Sequence, residues 1–200
     1  MSKIELNYQN KYIRLSRNEL IAVIRDSMSR SRFKHVLRVE QTALKLADKY
    51  NVDLEKVSIA ALTHDYAKER PDAEMRDLII SESLELEMLQ FGSNIWHGPL
   101  GALLMKNEYD LLDEEILEAI KLHTIGGPMM GEVAQIIYIA DYIEPKRSHS
   151  GVEKARELAN KDLIKAISYI TNQTLKYLVK KKKKIYPKAI ETYNAWVADN

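Results

Sequence analysis

The stretch from Glu132 to Glu144 constrains the fold of this chain more than any other. Val133, Ala134, Ile136, Ile137, Tyr138, Ile139 and Ala140 leave it apolar almost all round. A helix without a polar face has to be surrounded by other elements. This segment is therefore expected as a buried central helix, ended by Pro145. Asp141 lies inside the run, and a lone carboxylate in a buried helix is costly unless it is paired or bound to a metal. An ion pair with Arg38 or Arg147 would answer that cost as well as a metal would.

The surroundings read as helix too. Only 7 glycines and 5 prolines occur among 200 residues, and helix formers dominate, which argues for an all-α domain. That length suffices for one domain with a sizeable core. Ser16-Arg17-Asn18-Glu19 is a capping box that starts a helix running to about Met28. Phe33, Val36, Leu37, Ala43, Leu44 and Ala47 stripe a second helix from Arg32 to about Tyr50, with His35 beside the stripe. Asp53 caps a third, and Pro71 forces a break after it. Asp72 to Phe91 reads as one or two short amphipathic helices.

Ser93 to Pro99 reads as a turn, with Pro99 at the first helical position and His97 just outside the helix N-terminus. Asp113 caps the next helix, where Ile116, Ile120 and His123 share a face and Gly126-Gly127-Pro128 is the stop. A long helix is expected from about Asp162 into Lys180–Lys184, and Pro187 opens a last one through Tyr193 and Trp196. Residues 1–15 are polar and weakly patterned. They are read as an N-terminal extension to a single domain spanning 16–200.

Charge and cysteine content exclude several classes. The formal net charge is +1, so no global bias toward nucleic acid or membrane follows. Cysteine is absent, which rules out disulfides and thiolate metal sites and fits a cytoplasmic setting. No signal-peptide core and no apolar run of bilayer length is visible. The run Lys180–Lys184 has no interleaved aromatics. It reads as a solvated helix end complementing the helix dipole, and it argues little for nucleic acid.

The remaining signal is histidine placement. Val57, Ala61 and His64 follow an i, i+4, i+7 pattern, so His64 points inward and Asp65 lies one step round. Adjacent helical residues diverge by about 100°. Both can therefore reach one ion only where the helix end meets a cavity. Four of the five histidines stand at an apolar stripe or a helix end; only His149 looks like a plain surface residue. Taken singly, each is more often structural than functional. The ordered set, His35, then His64-Asp65, then His97, then His123, then Asp141, is more specific.

In that order the chain resembles the HD-domain metal-dependent phosphohydrolases. Five local sequences carry a closer resemblance: Phe33-Lys34-His35-Val36-Leu37-Arg38-Val39; His64-Asp65-Tyr66-Ala67-Lys68; Trp96-His97-Gly98-Pro99-Leu100-Gly101-Ala102; His123-Thr124-Ile125-Gly126; and Ile139-Ala140-Asp141-Tyr142-Ile143-Glu144-Pro145-Lys146-Arg147. They look like the HD-type symmetrical bis(5'-nucleosyl)-tetraphosphatases, the YqeK family.

The resemblance implies an HD-domain helical bundle that hydrolyses diadenosine tetraphosphate to two ADP. It implies His35, His64, Asp65 and Asp141 as metal ligands and iron as the ion, one or two per chain. The N/O ligand set without sulfur independently suits iron or manganese better than a closed structural zinc site. Asp65, Lys68, His97 and His123 are the expected catalytic groups; those four with Thr124 and Arg147 are expected at the substrate. His97 and His123 would hold either a second metal or phosphate. Lys68 alone could equally pair with Asp65, and Arg147 could be a solvated loop residue. The partners implied are a dinucleoside polyphosphate and ADP, without a membrane, and the resemblance leaves room for a homodimer. Two rivals remain: an HD nucleotidase acting on another nucleotide, and a non-catalytic RNA- or ribosome-binding adaptor using the lysine run.

Overall fold

The computed structural model describes residues 6–198, which form helices and no strands. In chain order these are α1 (Arg17–Asp26), α2 (Arg30–Tyr50), α3 (Leu54–Thr63), α4 (Asp72–Ser81), α5 (Ser93–Tyr109), α6 (Glu114–Leu122), α7 (Glu132–Ile143), α8 (Val152–Ala159), α9 (Leu163–Lys180) and α10 (Pro187–Tyr193). A 3₁₀ turn spans Leu86–Gln90, and a π-helical turn, Asn194–Ala198, follows α10. The all-α expectation holds.

Caps fix where the helices start. Ser16 and Glu19 form the capping box of α1, and Ser29, Asp53, Asp113 and Asp162 each accept an amide proton from the first turn that follows. The expected central helix is α7, and Val133, Ile136, Ile137, Ile139 and Ala140 on it are buried. It packs against α2, α3, α6, α8 and α9. His35 on α2, His97 on α5 and Asp141 on α7, with His64 and His123 capping the ends of α3 and α6, come from these packed helices and from α5. Among the described residues no helix is long and apolar enough to cross a membrane.

The sequence reading misplaced the start of α5. The helix begins at Ser93, so His97 stands inside its second turn and Pro99 lies in the helix interior. Gly92, at φ +89°, makes the turn that precedes it, a backbone region open to glycine at little cost. The indole Nε1 of Trp96 donates to Met88 O at 2.6 Å and ties the first turn to the 3₁₀ segment. Only with residues 93–97 helical does Ser93 O fall one turn behind His97, where it accepts from the ring Nδ1 at 3.0 Å. Helix α9 likewise ends earlier than expected, at Lys180, and the following lysines form a turn with Lys182 at φ +51°.

Residues 6–15 are packed on the domain, while residues 1–5 of the expected extension lie outside the described residues. The Tyr12 hydroxyl donates to Asp53, Gln9 N donates to Glu55, the Tyr8 hydroxyl lies 2.8 Å from Ser58 Oγ, and Ile13 is buried in the core. At the other end, Thr192 Oγ1 donates to Ile125 O at 2.9 Å and Trp196 Nε1 to Gly127 O at 2.8 Å. These two bonds clamp the turn after α6.

Helices α5 and α6 approach closely at Gly98. A Cβ there would lie 2.8 Å from Lys121 O and 3.2 Å from Ile120 O. Those atoms are backbone and cannot swing away as a side chain would. Gly98→Ala should therefore lower the free energy of unfolding by about 1–3 kcal/mol, outweighing the gain of roughly 1 kcal/mol in helix propensity. A urea midpoint equal to that of the wild type would show that the two helices separate freely.

Candidate metal centre

Helix α3 ends at Thr63, and the chain tightens at once: Tyr66 N donates to Thr63 O and Lys68 N to Asp65 O, both at 2.9 Å. This i to i+3 winding turns His64 and Asp65 to the same cavity, which a continuing α-helix would not do. His35 from α2, His97 from α5, His123 at the end of α6 and Asp141 from α7 face the same space.

Three of the four histidines have Nδ1 bonded to a carbonyl one turn behind: His64 to Ala61 O at 2.7 Å, His97 to Ser93 O at 3.0 Å and His123 to Ile120 O at 2.7 Å. His35 Nδ1 donates instead to Glu144 Oε1 at 3.3 Å. Each bond puts the proton on Nδ1 and leaves the Nε2 lone pair directed inward. The Nε2 atoms of His35 and His64 are buried and have no hydrogen-bond partner. Such orphaned acceptors are costly unless a cation meets them.

Asp65 stands between two sets of these atoms. Its Oδ2 lies 3.4 Å from His64 Nε2 and 3.6 Å from His35 Nε2. Its Oδ1 lies 3.4 Å from His97 Nε2 and 3.8 Å from His123 Nε2. Asp141 Oδ1 is 3.0 Å from His35 Nε2. Ligand atoms of His35, His64 and Asp141 fall within 4.8 Å of one another, as do those of His64, Asp65 and His123. The Nε2 atoms of His97 and His123 are only 2.9 Å apart. Two nitrogens about 2.1 Å from one ion and at right angles would be separated by roughly 3 Å. The donor set thus fits divalent metal.

Charge states agree with that fit at His97 and His123, whereas at His64 burial is outweighed by Asp65 and Asp141, which raise its pKa. Burial pushes the pKa of His97 down, and it drives His123 down to about 3 with help from the neighbouring His97 and His64. Burial alone would raise Asp65, but His64 and His97 outweigh it and hold the carboxyl well below its usual range. Asp141 is lowered as well: burial opposes its charge, and His35, His64 and Arg147 prevail. At neutral pH His97 and His123 therefore present neutral imidazole beside two carboxylates, the states a metal requires.

The cations were only partly legible in the sequence. Asp141 is not fully buried; its side chain is 24% exposed, and its Oδ1 accepts from Arg147 Nη2 at 2.6 Å. Arg147 also donates from Nε to Asp141 O, so the ion pair weighed for Asp141 does form, on the same oxygen that faces His35. The pair with Asp65 that was the alternative for Lys68 does not form. Its Nζ donates to Asn94 Oδ1 at 3.0 Å, and Arg32 takes its place, with Nη1 donating to Asp65 Oδ2 at 2.9 Å. Arg32 was missed; its signal is its position one turn before His35.

Thr124 Oγ1 lies 3.0 Å from His123 Nε2 and 3.3 Å from His97 Nε2. Glu144 was missed too. It is buried, accepts from His35, from Arg38 Nε at 2.6 Å and from Lys146 N, and its pKa falls to about 2, burial being outweighed by Arg38, Lys146 and His35. His149 stands apart on an exposed loop, against Tyr142.

Residues 32–146 match the HD domain family. The chain is 39% identical over 180 residues to the symmetrical bis(5'-nucleosyl)-tetraphosphatase of Bacillus subtilis, spanning 90% of this chain and 97% of that one. It is 38% identical over 172 residues to the Staphylococcus aureus protein of the same name, spanning 85% and 89%. Among solved structures, a predicted HD superfamily hydrolase involved in NAD metabolism from Clostridium acetobutylicum superposes with a TM-score of 0.87 at 37% identity, over 91% of this chain and 97% of that one.

Glu144 fixes the tautomer of His35, so Glu144→Gln should weaken metal binding about 10- to 100-fold. Competition against a chelator of known affinity at constant pH measures this. Undiminished affinity would mean that Glu144 serves Arg38 alone.

Proposed function

The chain belongs to the HD domain family, among the symmetrical bis(5'-nucleosyl)-tetraphosphatases, and we propose that His35, His64, Asp65 and Asp141 hold its catalytic metal. The activity is metal-dependent symmetrical hydrolysis of diadenosine tetraphosphate. One water attacks an inner phosphorus, the bond to the central bridging oxygen breaks, and two ADP leave. The convergence of four Nε2 atoms on the two oxygens of Asp65, under a rim of Arg32, Lys68 and Arg147, is the observation that carries the reading.

The metal is iron, with manganese as the alternative that the N/O donor set also suits. His35, His64, Asp65 and Asp141 would hold one ion, and Asp65 with His97 and His123, whose Nε2 atoms lie 3.4 and 3.8 Å from its Oδ1, would suit a second. When bound, such a centre supplies a Lewis acid that lowers the pKa of water and screens phosphoryl charge.

The protein's own groups do the rest. Glu144 keeps Nε2 of His35 inward, and Asp65 orients water with a carboxylate oxygen. Thr124 offers its hydroxyl to a phosphate oxygen beside His97 and His123. Burial lowers the pKa of Lys68, Asp65 and Asp141 pull it back up, and Arg32 and Arg147 again push it down. An arriving polyphosphate relieves that crowding of cations and gains charge-assisted hydrogen bonds from them. The setting is cytoplasmic, in keeping with the absence of cysteine; a homodimer is compatible with the same chemistry.

Chromatography of the products separates this reading from another HD nucleotidase. Two ADP are expected; AMP plus ATP, or inorganic phosphate, would overturn the symmetrical cut. Lys68→Ala should keep its metal and lose about 10- to 100-fold in kcat/KM, the worth of one charged contact of about 1.5–3 kcal/mol. Wild-type kinetics would remove Lys68 from the site. Arg147→Ala should instead reduce metal content and turnover together, since its two hydrogen bonds orient Asp141. Full metal occupancy in that variant would make Arg147 a substrate group only.

A further inference from the structure

Helix α7 ends at Ile143, and the chain turns at once through Glu144-Pro145-Lys146-Arg147. Arg147 N donates to Glu144 O at 2.9 Å, closing a four-residue turn with proline at its second position. Two side chains reach back into the site from this turn: Glu144 to His35, and Arg147 to Asp141. The bond across the turn does not by itself fix the direction in which the turn leaves α7.

A side chain from the next helix does. Arg156 stands in α8 one turn after Val152 and next to the buried Ala155. Its Nε donates to Ile143 O at 3.0 Å. Its Nη2 donates to Glu144 O at 2.8 Å and to Arg147 O at 2.9 Å. The last carbonyls of a helix have no amide partner within it, and a cation there also meets the negative end of the helix dipole. One guanidinium thus joins the end of α7 to both ends of the turn.

A plain surface ion pair does not describe this residue. Arg156 Nη1 does pair with Glu153, but Glu153 is 83% exposed and Arg156 only 25%. Pairs of that kind contribute little, whereas the three carbonyl bonds hold the fork on its inner side. A guanidinium presents five N–H groups in fixed directions; an ammonium is a point charge on a flexible stem. Arg156 bonds to none of His35, His64, Asp65 and Asp141, so its reach to them runs through the turn.

We propose that Arg156 is a positioning residue of the metal centre: by gathering Ile143 O, Glu144 O and Arg147 O it sets the turn from which Glu144 aims His35 and Arg147 aims Asp141. For its effect on metal the assignment rests on the ligand set proposed above. Its effect on His35 does not.

The ring N–H protons of the histidines, followed by NMR in the metal-free protein, test the second point. Arg156→Lys keeps the charge and the stem and loses the fork. In that variant the Nδ1–H of His35, which faces Glu144, should exchange with water at least about tenfold faster. Those of His64, His97 and His123 are bonded to carbonyls away from the turn and should be unchanged. A His35 proton that exchanges as in wild type, or one that speeds up equally with the other three, overturns the proposal. Arg156→Gln gives the same comparison should the lysine variant fail to fold.

Competition against a chelator tests the first point. Arg156→Lys should weaken metal binding about tenfold, the scale of a group that orients ligands from outside. In a Glu144→Gln, Arg147→Ala background the same change should cost less than about twofold, because the two groups it acts through are gone. A full tenfold cost in that background overturns the proposal. A wild type that binds no divalent metal would sink the ligand assignment, and the proton signals would still decide the role of Arg156.

Discussion

A helical histidine whose Nδ1 reaches a backbone carbonyl one turn behind it has little freedom left, and the site depends on this contact being made three times. His64, His97 and His123 each make it, on α3, α5 and α6. On α3 and α6 the accepting carbonyls, Ala61 O and Ile120 O, belong to the last turn, where such groups lack amide partners within the helix. One bond sets both tautomer and ring direction, so three lone pairs are aimed before any ion arrives. The close approach of α5 and α6 at Gly98 then determines how near the aimed atoms come.

The charges are layered around that aim. Carboxylates and imidazoles occupy the interior, and each buried or half-buried carboxylate is also engaged by an arginine from outside: Asp65 by Arg32, Glu144 by Arg38 and Asp141 by Arg147. Unpaired, these anions would have to neutralise or remain at high cost. The guanidiniums hold the carboxylates ionised and oriented. The outer faces of Arg32 and Arg147, together with Lys68, make the rim cationic, so one set of side chains supports the carboxylates beneath it and attracts polyanions from above.

How much of this was legible in the sequence varied with the range of the interaction. Helix existence and most caps followed from local patterns, as at Ser16-Glu19 and Asp113. The ordered histidines and Asp141 could be gathered into one site because each lay on an apolar stripe or a helix end. His97 was misplaced because Pro99 is a strong local cue for a helix start, whereas the turn at Gly92 and the Trp96 bond to Met88 O are tertiary facts. Arg32 and Glu144 were overlooked because an exposed-looking arginine and a glutamate before proline carry no sign of a partner 33 or 109 positions away. The lysine run was read as helix because nothing in five consecutive lysines marks the reversal after Lys180.

The clamp on the turn after α6 has a consequence for the order of assembly. The turn between His123 and Pro128 is held by Thr192 and Trp196, which lie 67 and 69 positions further along the chain than the carbonyls they bind. Synthesis proceeds from the N-terminus, and upstream segments begin to fold first. Helices α1 to α7 therefore leave the ribosome before the residues that close this turn exist. During that interval the turn holding His123 and Thr124 lacks its latch, while the partners of His35, Asp65 and Asp141, the furthest being Arg147, all precede Thr192 in the chain. The turn that carries His123 and Thr124 is therefore the part of the cluster whose fixing waits for residues 192–196.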